Sequence, residues 1–157
     1  MYDWHTPYMS PLFTVIAAIV PLLIYVGMPK FFGTTAHRQL LAIAGILFFA
    51  SHWVPSPDVN GMQTQFLTHL IGGGIFTGFV WLYIIRVKGL TDEWYIEMAT
   101  LFALVSSLGV LNELFEFVLY QFGMMPHGIA DTSWDLVANT LGALIFYGLY
   151  KLTQRNR

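Results

Sequence analysis

Between Asn112 and Asn139 the sequence reads NELFEFVLYQFGMMPHGIADTSWDLVAN, a stretch that holds Glu113, Glu116, Asp131 and Asp135, four of the chain's nine acidic residues. Apolar residues surround these acids, and the segments that carry them are hydrophobic enough to cross a bilayer. An ionisable side chain at the centre of a spanning helix costs on the order of 2.5 to 3.5 kcal/mol by insertion scales. Carboxylates so placed need partners, and the fold has to supply them. No other feature constrains the chain as tightly.

Composition sets the class. Of the 157 residues 56% are hydrophobic and only 10% charged, whereas soluble domains average ~25% charged. The chain therefore reads as an integral membrane protein. A net charge of -2, with no basic cluster before the last few residues, excludes nucleic acid as a partner, because phosphate neutralisation takes many Lys and Arg. Cysteine is absent, which excludes disulfides and thiolate metal sites and leaves His, Asp and Glu as the metal-capable side chains. The first residues lack the basic region and small-residue cleavage site of a removable leader, so the first apolar segment is expected as a retained helix.

Five apolar segments follow, roughly 11–28, 39–54, 65–85, 96–122 and 133–152; ~20 residues cover a ~30 Å hydrocarbon core. The expected fold is all-α: one transmembrane domain over residues 1–157, a bundle of about five spanning helices. The breaks GMPKFFGTTAHR, PSPDVNG, RVKGLTDE and GMMPHGIAD carry turn signals. Lys30 and Arg38 fall in the first loop, Arg86 and Lys88 in the third, and Lys151, Arg155 and Arg157 at the C-terminus. By the positive-inside rule those regions are cytoplasmic, with the N-terminus outside, as expected of a multi-pass protein of the inner (cytoplasmic) cell membrane. Trp4, Trp53 and Trp134 then mark outer helix ends and Trp94 an inner one. Pro21 is expected to kink the first helix, while Gly72–Gly74, Gly78, Ala138 and Gly142 permit close helix approach.

This topology gathers polar groups into one layer in the outer half of the membrane. His69 lies one turn into the third helix and His52 ends the second. Glu113 and Glu116 share a stripe of the fourth helix at i and i+3, with Gly109 and Tyr120 on the same face. Asp131, just before the fifth helix, starts a four-residue step through Asp135 to Asn139. A connection of about ten residues makes the fourth and fifth helices antiparallel neighbours that aim both stripes into one cleft. His52 reads as an interfacial residue, and His127 sits in the outer loop without a spacing argument. Asp92, Glu93 and Glu97 read as interface charges at the start of the fourth helix, where the dipole favours acids.

With no Lys or Arg in the layer, three partners remain for the acids. They are protons, since burial disfavours the charged carboxylate; a divalent cation; or water in an open vestibule. The cation reading takes His69, Glu113, Glu116, Asp131 and Asp135 as ligands of Mn, Fe, Zn, Mg or Ca. Asn112, Thr132 and Asn139 would orient those ligands, and Glu116 and Asp135 are the candidate catalytic carboxylates.

The stretches FLTHLIGGG, LNELFEF and DTSWDLVANTLGAL resemble, in order and spacing, the motifs of the YjdF-type inner membrane proteins. Those motifs are a histidine opening a helix, a Glu-Leu-x-Glu helix, and an Asp-Thr-x-x-Asp turn running into a Leu-Gly-Ala-Leu helix. They match His69, Glu113, Glu116, Asp131, Thr132, Asp135 and Leu141–Leu144 here. Asp135, Asn139 and Gly142 are also similar, more loosely, to the last helix of VanZ-like proteins, which have Gln in place of Glu116 and an Arg this chain lacks. The resemblance spans about 65–149, and implies shared acidic and histidine positions rather than a particular activity.

Three functions from different classes fit these residues. One is an enzyme in which a bound metal activates water or polarises a lipid-linked substrate at the outer leaflet. Another is a transporter that uses the acidic cleft for a cation or proton. The third is an assembly subunit packing against a second copy or another membrane protein. The sequence holds no nucleophile elbow, phosphate loop or zinc-protease pair to name a substrate.

Overall fold

The structure is a computed structural model that describes residues 4–5, 11–59, 62–90, 93–124 and 129–155. Its helices are α1 (Pro11–Phe32), α2 (Arg38–Ser51), α3 (Phe66–Lys88), α4 (Trp94–Gln121) and α5 (Ile129–Arg155). Four of them are long and apolar enough to cross a membrane, over Thr14–Phe32, Phe66–Lys88, Trp94–Gln121 and Asp131–Arg155. The second segment yields only the 14 residues of α2, a rod of about 21 Å at ~1.5 Å per residue. Of the about five spanning helices expected, four are long enough to span, and α2, over the shortest of the five segments, falls short of that length.

Helix α3 is the centre of the bundle. Phe76, Val80 and Tyr83 on one side of it pack with Leu41 and Ala44 of α2, with α1 residues alongside. Trp81, Leu82 and Ile85 on the other side pack with Leu101 and Val105 of α4 and with Ala143, Phe146 and Tyr147 of α5. A helix covered on two sides has to be apolar nearly all round, which is how its sequence reads. Helix α1, by contrast, is the most peripheral, with Leu22 and Leu23 exposed. Pro21 and Pro29 both lie inside the one helix α1, and Gly45 of α2 comes so close to Pro21 that a Cβ there would sit 3.0 Å from the proline Cβ.

Within α3, residues His69–Ile75 form a π-helical segment between a single α-turn and the α-helix Phe76–Lys88. Wider turns of this kind recur at functional sites. The three glycines of the segment meet three different neighbours. A Cβ on Gly72 would overlap Ser51 Oγ of α2, one on Gly73 would overlap Asn139 Oδ1 of α5, and one on Gly74 would strike the α5 backbone at Asn139 and Gly142. Successive helical residues point in different directions, so no single glycine would have sufficed. Gly142 in turn meets the Leu70 carbonyl and the Gly74 Cα. Small-residue packing therefore brings the α3 and α5 backbones into contact one to two turns below His69.

Side-chain contacts show which helix ends lie together. Arg38 Nε donates to Tyr25 O (3.3 Å), Tyr83 Oη to Thr34 O (3.4 Å), and Lys88 Nζ lies 5.1 Å from the Phe32 ring centre. Trp81 Nε1 donates to Thr100 Oγ1 (3.1 Å), and Lys151 pairs with Glu97. The described basic residues thus share one end of the bundle. Glu97 is buried there, not an interface charge, and the phenol of Tyr147 lies 3.0 Å from its Oε2 and 3.1 Å from Trp94 O.

At the opposite end the all-α expectation needs a correction. Strands β1 (Trp4–His5), β2 (Ser56–Val59) and β3 (Met62–Gln63) form a small antiparallel sheet in the order β1-β2-β3. Trp4 pairs with Pro57 and Asp58 with Gln63. The segment PSPDVNG, expected only to turn, carries the whole of β2, and its sequence ends in Asn-Gly, the dipeptide favoured in two-residue hairpins. The buried Ser56 accepts from Leu67 N–H (3.1 Å) and Thr64 donates to Pro57 O (2.9 Å), which fastens the sheet to the start of α3.

Candidate metal centre

Three of the residues singled out from sequence converge. His69 begins the π-helical segment of α3, Glu113 lies on α4, and Asp135 lies near the start of α5. One donor atom from each lies within 4.8 Å of the other two, and His69 Nε2 is 3.4 Å from Asp135 Oδ2. All three residues are buried, Asp135 to 1% exposure. Phe66 and Trp134, with ring centres 6.2 Å apart, hold the α3 and α5 ends together next to the cluster.

Asn139 lies one turn below Asp135 on the same face of α5 and is 4% exposed. The amide fits because Gly73 and Gly109 have no side chain: a Cβ on Gly109 would lie 3.2 Å from Asn139 Nδ2. Asp135 Oδ1 and Asn139 Oδ1 are both buried without a hydrogen-bond partner among the described residues. Such orphaned acceptors are rare in folded proteins and call for a ligand, an ion or water.

The other expected site residues lie around this group. Glu116 is only part-buried and accepts a hydrogen bond of 2.7 Å from Asn112 Nδ2 on the exposed side of α4, so Asn112 supports Glu116 and not the buried cluster. A step of three residues rotates ~60° around a helix, enough for Glu113 to enter the interior while Glu116 stays at its edge. Asp131 falls inside the first turn of α5, one turn earlier than expected, and is half-buried like Thr132. Neither Glu116 nor Asp131 belongs to the close three-residue group. His52 Nδ1 bonds to Phe48 O (2.8 Å), with the ring edge-on to Phe48, as suits a helix end. His127 and Asp92 lie outside the described residues.

One imidazole and two carboxylates are a donor set suited to a borderline or hard divalent cation. Towards the basic end the polar groups give way to the Trp81, Leu101, Val105, Ala143 and Phe146 core. The nearby hydroxyls of Thr77 and Thr140 bond to their own helix, at Gly73 O (2.6 Å) and Leu136 O (2.9 Å).

A family model described as "Predicted membrane protein (DUF2238)" matches residues 2–156. The chain belongs to that family. The DUF2238 match covers α1 and α2 as well as the α3–α5 region that carries the sequence motifs. No curated protein and no solved structure matches the chain.

Proposed function

We propose that this DUF2238 protein binds a divalent cation between α3, α4 and α5, with His69, Glu113 and Asp135 as ligands. The observation that carries the proposal is the convergence of one imidazole and two carboxylates, each from a different helix, within 4.8 Å in the protein interior. Every Lys and Arg in the described chain is at the far end of the bundle, so a cation is the natural counter-charge. A nitrogen donor beside carboxylate oxygens suits Mn, Fe or Zn better than Mg or Ca, which favour all-oxygen sites.

The bound cation serves hydrolysis or modification of a lipid-linked substrate, as a Lewis acid and as a means to an activated water. Glu116, at the edge of the cluster, is placed to receive a proton. Transport is the weaker alternative, because the core between the cluster and the basic end is apolar and the nearby hydroxyls of Thr77 and Thr140 are bonded to their own helix. The orientation that goes with this reading puts the basic end in the cytoplasm and the cluster towards the outside, with α2 as a short fifth crossing of the cytoplasmic membrane. The motif likeness to YjdF-type proteins supports equating that group with the DUF2238 family. The VanZ-like resemblance rests on Asp135, Asn139 and Gly142 and adds no activity.

The test is elemental analysis of the purified protein together with thermal unfolding in detergent with and without Mn, Fe and Zn. One cation per chain and a metal-dependent rise in melting temperature that His69→Ala removes are expected. No cation and no shift with any of the three would reject the reading.

A further inference from the structure

The three-ligand group leaves two features unexplained: a buried amide oxygen that accepts no hydrogen bond of ordinary geometry among the described residues, and two glycines on different helices that make room for it. Asn139 follows Asp135 by one turn, so both project from the same face of α5 into the cluster. The amide is held edge-on between two helices, with Oδ1 against Gly73 of α3 and Nδ2 against Gly109 of α4. Asn139 is 4% exposed and Asp135 1% exposed, and the Oδ1 atom of each is buried without a hydrogen-bond donor among the described residues. Leaving two neighbouring acceptor oxygens unsatisfied inside a protein is costly.

We infer that Asn139 Oδ1 is a fourth protein ligand of the cation held by His69, Glu113 and Asp135. The inference rests on the metal reading proposed above, and it changes Asn139 from a residue that orients ligands into one that donates to the metal. Charge explains why the position carries an amide. Two carboxylates with a neutral imidazole balance a divalent cation, and a neutral oxygen completes the set without adding charge. A third carboxylate would leave a net negative charge in a low-dielectric interior. The glycine at position 73 is then part of the coordination sphere's design, because any side chain there would displace the ligand oxygen.

Metal-free protein in detergent, titrated with Co²⁺ and with Mn²⁺, separates ligation from orientation. The d–d absorption of Co²⁺ reports coordination number and donor set, whereas a residue that only positions other ligands changes affinity and leaves the saturated spectrum alone. Asn139→Leu is expected to weaken Mn²⁺ binding by at least about tenfold and to alter the Co²⁺ spectrum at saturation. Asn139→Asp, which keeps an oxygen donor while adding a charge, is expected to change Mn²⁺ affinity but to keep the Co²⁺ coordination number. Should Asn139→Leu not fold, Asn139→Val, which likewise has no oxygen and leaves little space for water, serves in its place and is expected to show a changed spectrum. A wild-type Co²⁺ spectrum in the folded Leu or Val variant overturns the assignment of Asn139 and leaves the metal site standing. Absence of Co²⁺ and Mn²⁺ binding to the wild type overturns both.

Discussion

Gly74 of α3 packs directly on Gly142 of α5, so closely that a Cβ built on Gly74 would lie 2.6 Å from the Gly142 Cα. This backbone-to-backbone contact lies below the His69 and Asp135 pair and sets the separation of the two helices that carry it. Neither side can yield by rotating a flexible side chain. Gly74→Ala is therefore expected to destabilise the protein by at least about 1–3 kcal/mol, the usual penalty for overpacking, and to weaken metal binding by moving His69 away from Asp135. Gly27→Ala, where a Cβ meets nothing within 4 Å, is the control and is expected to be neutral or to stabilise by about 0.5–1 kcal/mol. Thermal unfolding of both variants in the same detergent reads the difference.

Asp135 provides a test of what the cluster is built for. If it awaits a cation, the ionised carboxylate is a liability in metal-free protein, and Asp135→Asn removes the charge with almost no change of shape. The metal-free variant is expected to be at least as stable as wild type, while the stabilisation conferred by metal disappears. For a tight site that stabilisation is about 2.7 kcal/mol at a hundredfold excess over the dissociation constant. A loss of more than about 1 kcal/mol in the metal-free variant would instead mean that Asp135 is held as an ion pair by His69. Melting curves with chelator and with Mn²⁺ distinguish the two.

Much of this site was legible in the sequence because lipid makes charge conspicuous. Ionisable residues in apolar helices are few, and loop charge fixes which helix ends lie together. Depth along α3, α4 and α5 therefore pointed to His69, Glu113, Glu116, Asp131 and Asp135 as one group, of which His69, Glu113 and Asp135 converge. Rotation about a helix is read less well than depth, which is why Glu116 was grouped with Glu113 although only Glu113 enters the interior. The π-helical segment was not legible, since a GGG run on its own reads as generic close packing and its meaning depends on Ser51, Asn139 and Gly142, each distant in sequence. Asn-Gly between Asp58 and Gln63 was a hairpin signal, outweighed by the apolar helices around it. The pairing of Glu97 with Lys151 joins positions far apart in the chain, and no local pattern announces it.

That ion pair has its own consequence. Glu97 is 6% exposed, and its partners are the Lys151 ammonium and the Tyr147 phenol. Lys151→Met leaves the carboxylate buried with only the phenol for company, and is expected to cost about 1–3 kcal/mol. The Lys151 side chain is 34% exposed, so water limits the loss. Adding Glu97→Gln removes the stranded charge, and the double variant is expected to be more stable than Lys151→Met alone. A double-mutant cycle on melting in detergent measures the coupling, and simple additivity would show that the pair contributes nothing.

Orientation can be tested cleanly because the chain contains no cysteine, so each introduced thiol is the sole reactive site. Thr35, between α1 and α2, and Leu90, after α3, are exposed at the basic end, whereas Pro55, after α2, is exposed at the sheet end. If α2 crosses the membrane and the basic end is cytoplasmic, Pro55→Cys reacts with an impermeant maleimide in intact cells. Thr35→Cys and Leu90→Cys then react only after permeabilisation. Should Thr35→Cys and Pro55→Cys label from the same side, α2 would be a re-entrant or buried helix. The 14 residues of α2 make this the most demanding of the crossings, since about 20 residues are the usual minimum for an untilted span. What favours a full crossing is the bilayer's capacity to thin around a short helix at modest cost, together with the direct packing of Gly45 on Pro21 in the middle of α1.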